Sequence, residues 1–201
     1  MKSGSQAKPS DYEMHELLLG AQSFRRRFFH DTARFDPVRV IEHCLPLLFP
    51  TLVVDYVDDL VVDGFPADAA VSVENGVVLD ISSQAYENAI RCIRDEMFSP
   101  KTLSYAPAIF TLAHEIAHLL LHTKKHQAKQ KTFARGMPGS GTSFQVNPKE
   151  EHEANIFAGG LIIPIDVVDQ DSDSWMLQWK YRVSQDVAKR IIAQKRVILG
   201  R

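Results

Sequence analysis

The sequence predicts an α+β fold that is mostly helical, with a small antiparallel β-sheet of about three strands. Three observations lead there. Apolar residues recur at helical spacing through most of the chain. Runs of β-branched residues bounded by turn residues are confined to residues 51–81. Within that stretch, Asn75-Gly76 between "AVSVE" and "VVLDI" is a hairpin signal.

Taken in order, residues 1–10 are polar and are expected to be disordered. From Asp11 to about His30, the residues Met14, Leu17, Leu18, Ala21 and Phe24 fall at amphipathic-helix spacing. A second helix begins at "FDPVRVIEHCLPLLF", with Asp36 as N-cap, Pro37 at the first helical position, and Pro46 ending or kinking it. "TLVVDYV" and "AAVSVENGVVLDIS" supply the strands, and residues 82–98 form a helix capped by a serine. A helix follows from near Pro107 to about His122. The basic, Gly/Ser-rich segment "TKKHQAKQKTFARGMPGSGTSFQ" after it reads as a long loop. "NPKEEHEANIFAGGLIIP" reads as a helix with Asn147 as cap, Glu150 closing a capping box, and Pro164 as stop. Short helices near 172–180 and from Ser184 to about Ile198 finish the chain. The expected division is a tail and helix over 1–34, a core domain over 35–168, and a helical extension over 169–201.

Composition excludes several function classes. A net charge of −2 gives no general attraction to nucleic acid or anionic membrane. The longest apolar run, "IFAGGLIIPIDVV", falls short of the roughly 18 residues of a membrane span and is broken by Pro164 and Asp166. The polar start "MKSGSQAKPS" has no apolar stretch behind it, so a secretory leader is not expected. Cys44 and Cys92 have no CxxC or Cys/His spacing and suit reduced thiols. The expected compartment is cytoplasmic.

The stretch "FTLAHEIAHLLLH", Phe110 to His122, places His114, Glu115 and His118 inside an otherwise apolar helix. Residues four apart lie about 40° apart around a helix axis, so the two imidazoles can meet at one point. Glu115, offset by about 100°, flanks that point. This is HExxH geometry: two neutral imidazoles for a zinc ion, Zn2+, and a glutamate to act as base toward water. An unpaired carboxylate in so apolar a helix would cost several kcal/mol, roughly, and a nearby cation offsets that cost.

A catalytic zinc generally takes three protein ligands and keeps one position open. No HxxGxxH extension follows His118, so the third ligand must come from elsewhere, and "EEHEAN" offers carboxylates. Glu151 lies beside the apolar stripe of Ala154, Phe157, Ala158 and Leu161 and is favoured. Glu153 points further toward solvent on the helical wheel, and Glu150 has the capping role. Asn155, one turn after Glu151, is placed to orient a ligand histidine. Candidates to steady a tetrahedral oxyanion are Tyr105, His122, His126 and His152. Lys124, Lys125, Lys129, Lys131 and Arg135 make the following segment a candidate lid or acidic-partner exosite.

"FTLAHEIAHLLLH", followed some thirty residues later by "EHEANIFAGGLIIP", resembles the ImmA/IrrE family of metallopeptidases. "YRVSQDVAKRIIAQ" is similar to a segment that follows the peptidase core in that family. The resemblance implies a zincin-like core, residues 35–168 here, with a gluzincin-like third ligand. It implies His114, His118 and Glu151 as metal ligands, Glu115 as general base, and Asn155 in support. It further implies a protein substrate, a helix-turn-helix transcriptional repressor; separately, the short apolar runs and the acidic net charge argue against a membrane role and direct nucleic-acid binding. Gly159-Gly160 departs from the family's Ala-Glu-like pair, "LIIP" replaces "LLMP", and residues 82–104 resemble an insertion. Two rival functions remain: a non-proteolytic anti-repressor or toxin–antitoxin binding module with a structural metal, and a DNA-binding regulator using the C-terminal helices.

Overall fold

The computed structural model describes residues 10–29, 34–62, 64–73, 76–96, 99–126, 131–136, 147–169 and 171–198. Of the residues 1–10 expected to be disordered, all but Ser10, which caps a helix, lie outside them, as do the turn residue Asn75 and most of the segment after His126. The chain is α+β and mostly helical, as its periodicity predicts.

Helix α1 (Asp11–Phe28) starts at a closed capping box, in which Ser10 Oγ accepts the Glu13 N–H and the Glu13 carboxylate accepts the Ser10 N–H. Asp36 then caps α2 (Pro37–Arg39). Pro46 does not end this rod. A π turn over Val40–Cys44 widens the backbone just before it, with the Leu45 N–H reaching Val40 O, and α3 (Leu45–Leu48) continues beyond. The wider turn accommodates a ring that would clash with the carbonyl four residues back.

The sheet differs from expectation. It is mixed and, among the described residues, has five strands: β1 (Leu52–Val57), β2 (Val61–Val62), β3 (Phe65–Val73), β4 (Val77–Ser82) and β5 (Lys131–Gly136). The β3–β4 hairpin signalled by Asn75-Gly76 is present, in register Val73↔Val77. Strand β1, however, lies parallel to β4, Leu52 opposite Val77. Strand β5 forms in the segment read as a loop and pairs antiparallel with β3. Its two-residue apolar centre, Phe133-Ala134, is too short to signal a strand alone. The unpaired edge of β3 supplies backbone partners that no local pattern announces.

Val77, Leu79 and Ile81 alternate inward from β4 and join Ala69, Val71 and Val73 of β3 in the main core. Helix α4 (Ser83–Arg94), capped by Ser82, and the short α5 (Pro100–Leu103) lead into α6 (Ala106–His126). Helix α6 packs on β3, α4 and α7 (Pro148–Ile162) and runs one turn past the expected end. Helices α8 (Ser174–Tyr181) and α9 (Gln185–Ile198) close the chain.

Gly159 and Gly160 have a packing reason. Helix α7 is held between α1 and α9. A Cβ on Gly160 would lie 2.9 Å from Ala21 Cβ and 3.0 Å from Leu18 Cδ2. One on Gly159 would lie 2.2 Å from Ile191 Cδ1. No larger pair fits this close approach. The Arg25 guanidinium, 1% exposed, completes the α1–α7 contact by donating to the Leu161 carbonyl.

Candidate metal centre

Helix α6 is the central rod of the fold. Every residue from Ala108 to Leu119 is buried, because apolar side chains cover all its faces and sheet and helices pack against it. His114, Glu115 and His118 are 2%, 1% and 1% exposed. These groups therefore sit deep in the molecule, and the tertiary structure must supply what balances them.

Helix α7 supplies it. Glu151 Oε2 lies 3.2 Å from His114 Nε2, and Glu151 Oε1 lies 3.0 Å from His118 Nε2. The two Nε2 atoms are 3.0 Å apart, with the rings nearly edge to face. One ligand atom from each of the three residues falls within a 4.8 Å span. Bond lengths of about 2.0–2.1 Å in a tetrahedral site put ligand atoms about 3.3 Å from one another. The observed separations, which involve both carboxylate oxygens, lie close to that value and slightly below it. The donor set, two imidazoles and a carboxylate, also suits a divalent cation with one position left open. Because both rings present Nε2 to the cluster, Nδ1 is the nitrogen left for an outer partner.

Burial pushes the Glu151 carboxyl pKa up, but its contacts with His114 and His118 outweigh that and hold it well below the usual carboxylate range. Glu151 is ionised at neutral pH and is 29% exposed, so the cluster opens to solvent on the α7 side. Phe110 flanks it, with its ring centroid 6.3 Å from that of His114.

The other expected residues fall as follows. Glu153 is not turned to solvent: its side chain is 14% exposed, with Oε2 3.8 Å from His122 Nδ1. Burial by α6 overrides the wheel reading. Glu150 is 7% exposed, and the capping box does not close, because Asn147 Oδ1 accepts the Lys149 N–H one residue earlier. Asn155 donates from Nδ2 to the Glu151 carbonyl at 2.7 Å, so its bond goes to the main chain of Glu151. Tyr105 lies in the turn before α6, half-buried, with the Arg91 guanidinium 5.9 Å from its ring centroid. His152 is half-buried beside Glu151. The side chains of His126, Lys124, Lys125, Lys129, Lys131 and Arg135 lie outside the described residues. His122, read from sequence only as an oxyanion donor, is fully buried, with Nε2 3.2 Å from the Glu150 carbonyl. Its position four residues after His118 was the available signal.

Comparison with known proteins follows the same lines. Residues 77–192, more than half of the chain, match the peptidase family model described as the IrrE N-terminal-like domain. The match runs from β4 into α9 and contains His114, Glu115, His118 and Glu151. No protein of curated function matches the chain. Among the described residues, no helix is long and apolar enough to cross a membrane.

Proposed function

The chain belongs to the IrrE N-terminal-like peptidase family, and from that premise we propose that it is a zinc-dependent endopeptidase acting on a specific cytoplasmic protein, a helix-turn-helix transcriptional repressor. Family membership carries a metallopeptidase type of function and a protein substrate. The observation that supports the site is the convergence of His114 Nε2, His118 Nε2 and the Glu151 carboxylate in one compact cluster. Two free, buried cysteines are consistent with a reducing compartment.

In this reading His114, His118 and Glu151 hold the ion. Bound zinc supplies Lewis acidity, which polarises a scissile carbonyl and makes water acidic. The chain does the rest. Glu115, adjacent to His114 and sealed from bulk solvent, takes a proton from the attacking water and delivers it to the leaving nitrogen. The imidazoles present Nε2 to the centre from one rigid helix. The open flank beside Glu151 is the side from which an extended peptide segment reaches the centre.

The test is incubation of the purified protein with the helix-turn-helix repressor encoded beside it, with and without a chelator, followed by mass analysis. Discrete fragments that disappear on chelation, and with Glu115→Gln, are expected. Relief of repression that survives Glu115→Gln without fragments would replace the enzyme with the binding-module reading.

A further inference from the structure

We propose that His122 is a positioning residue for Glu151: its ring pins the peptide unit that enters Glu151 and so sets the approach of that carboxylate to His114 and His118. The inference rests on the metal-centre reading above.

His122 is one turn beyond His118 on α6, and their ring centroids are 5.3 Å apart. It is 0% exposed. Its Nε2 lies 3.2 Å from the Glu150 carbonyl oxygen. A carbonyl can only accept, so Nε2 carries the proton and donates it. The opposite nitrogen, Nδ1, faces the Glu153 carboxylate at 3.8 Å. The ring thus sits between two points on the first turns of α7, one before Glu151 and one after.

Asn155 holds the other side, with its amide donating to the Glu151 carbonyl at 2.7 Å. Both peptide units that flank the Glu151 Cα are therefore held by side chains. The two anchors differ in kind. Asn155 belongs to α7 and fixes Glu151 only within its own helix. His122 belongs to α6, the rod that also carries His114 and His118. One rigid helix then presents both rings to the carboxylate and also grips the backbone that bears it.

Position along α7 makes such a grip matter. The helix begins at Pro148, so Glu151 lies in its first turn. The Glu151 N–H makes the first backbone bond of the helix, to the Asn147 carbonyl at 3.1 Å; the N–H groups before it have no such partner, and helix ends fray there. A ligand in a fraying turn would hold an ion poorly. Partners of this outer kind contribute about 10–100-fold to metal affinity at well-studied sites.

The experiment measures cobalt and zinc affinity of the full chain by chelator competition, together with the cobalt d–d absorption spectrum. Wild type is compared with His122→Phe, which keeps an aromatic ring without a donor, and His122→Gln, whose amide can reach the Glu150 carbonyl. Affinity lower by about 10–100-fold in His122→Phe with an altered cobalt spectrum, and largely restored in His122→Gln, is the expected result. Should His122→Phe fail to fold, His122→Met provides the non-donating partner, because a flexible thioether adapts to the same space. Wild-type affinity and an unchanged spectrum in a folded non-donating variant overturn the proposal. A wild type that binds no cobalt instead removes the metal centre itself, and this inference with it. Metal binding without any peptide cleavage removes only the peptidase activity.

Discussion

Substituting Gly160 by alanine tests how tightly α1 is seated on the helix that carries Glu151. The new Cβ would meet Ala21 Cβ at 2.9 Å and Leu18 Cδ2 at 3.0 Å. Carbon pairs prefer about 3.5–4.0 Å, so each contact is roughly 0.5–1 Å too short. Ala21 cannot yield by rotating, since its Cβ is fixed to the α1 backbone and is fully buried. Helix α1 must retreat or tilt, at a typical overpacking cost of about 1–3 kcal/mol. Alanine recovers about 1 kcal/mol of helix propensity over glycine, leaving a net loss of up to about 2 kcal/mol. For a chain of this size each kcal/mol moves Tm by roughly 2–4 °C. Thermal melting followed by circular dichroism should therefore show Gly160→Ala several degrees below wild type. Gly20→Ala is the control: it lies mid-helix on the exposed side of α1, where its Cβ meets only the Phe157 ring edge at 3.2 Å. That variant should be neutral or more stable. A Gly160→Ala protein more stable than wild type by the full propensity gain of about 1 kcal/mol would refute the close α1–α7 approach.

Burial pushes the Cys92 thiol up to about 11 and raises Cys44 as well, so at pH 8 the native protein should react with a thiol reagent far more slowly than the unfolded chain. Immediate titration of both thiols without denaturant would contradict this. Folding favours the neutral Cys92 thiol, so its contribution to stability should decline as pH rises from the ordinary thiol value of 9.0 through about 11, which alkaline melts would register. On the sheet, Asp80 stands opposite Asp55 across the parallel β1–β4 pair, and burial together with that neighbour raises its carboxyl pKa. The fold therefore disfavours the charged form, and Asp80→Asn should stabilise by roughly 0.2–1 kcal/mol at pH 7. The gain should shrink as pH falls and Asp80 is protonated. A gain equal at pH 7 and pH 3 would show that charge is not the cause.

The local signals in this chain were strong where one residue's chemistry or one helical period was sufficient. Asp36 and Ser82 cap the helices they were expected to cap. The β3–β4 hairpin follows from Asn75-Gly76 and its alternating flanks. The pairing of His114 with His118 is a consequence of helical rotation alone, so spacing was enough to read it. Glu151 was chosen over Glu153 by its place beside an apolar stripe, and its carboxylate does reach both rings.

What the chain could not announce depends on partners distant in sequence. Strand β5 exists because β3 has a free edge, and β1 is parallel because its neighbour is β4 rather than β3. The wheel turned Glu153 outward, yet α6 covers that face and brings His122 to it. Gly159-Gly160 looked like an unexplained departure until α1 and α9 closed on either side of α7. Sequence by itself determined which elements form and which donors share a helix face, because those follow from short-range geometry. Only tertiary packing decided how near α7 comes to α6, and so whether one carboxylate and two imidazoles meet, because that distance is set by side-chain volumes from every element around them.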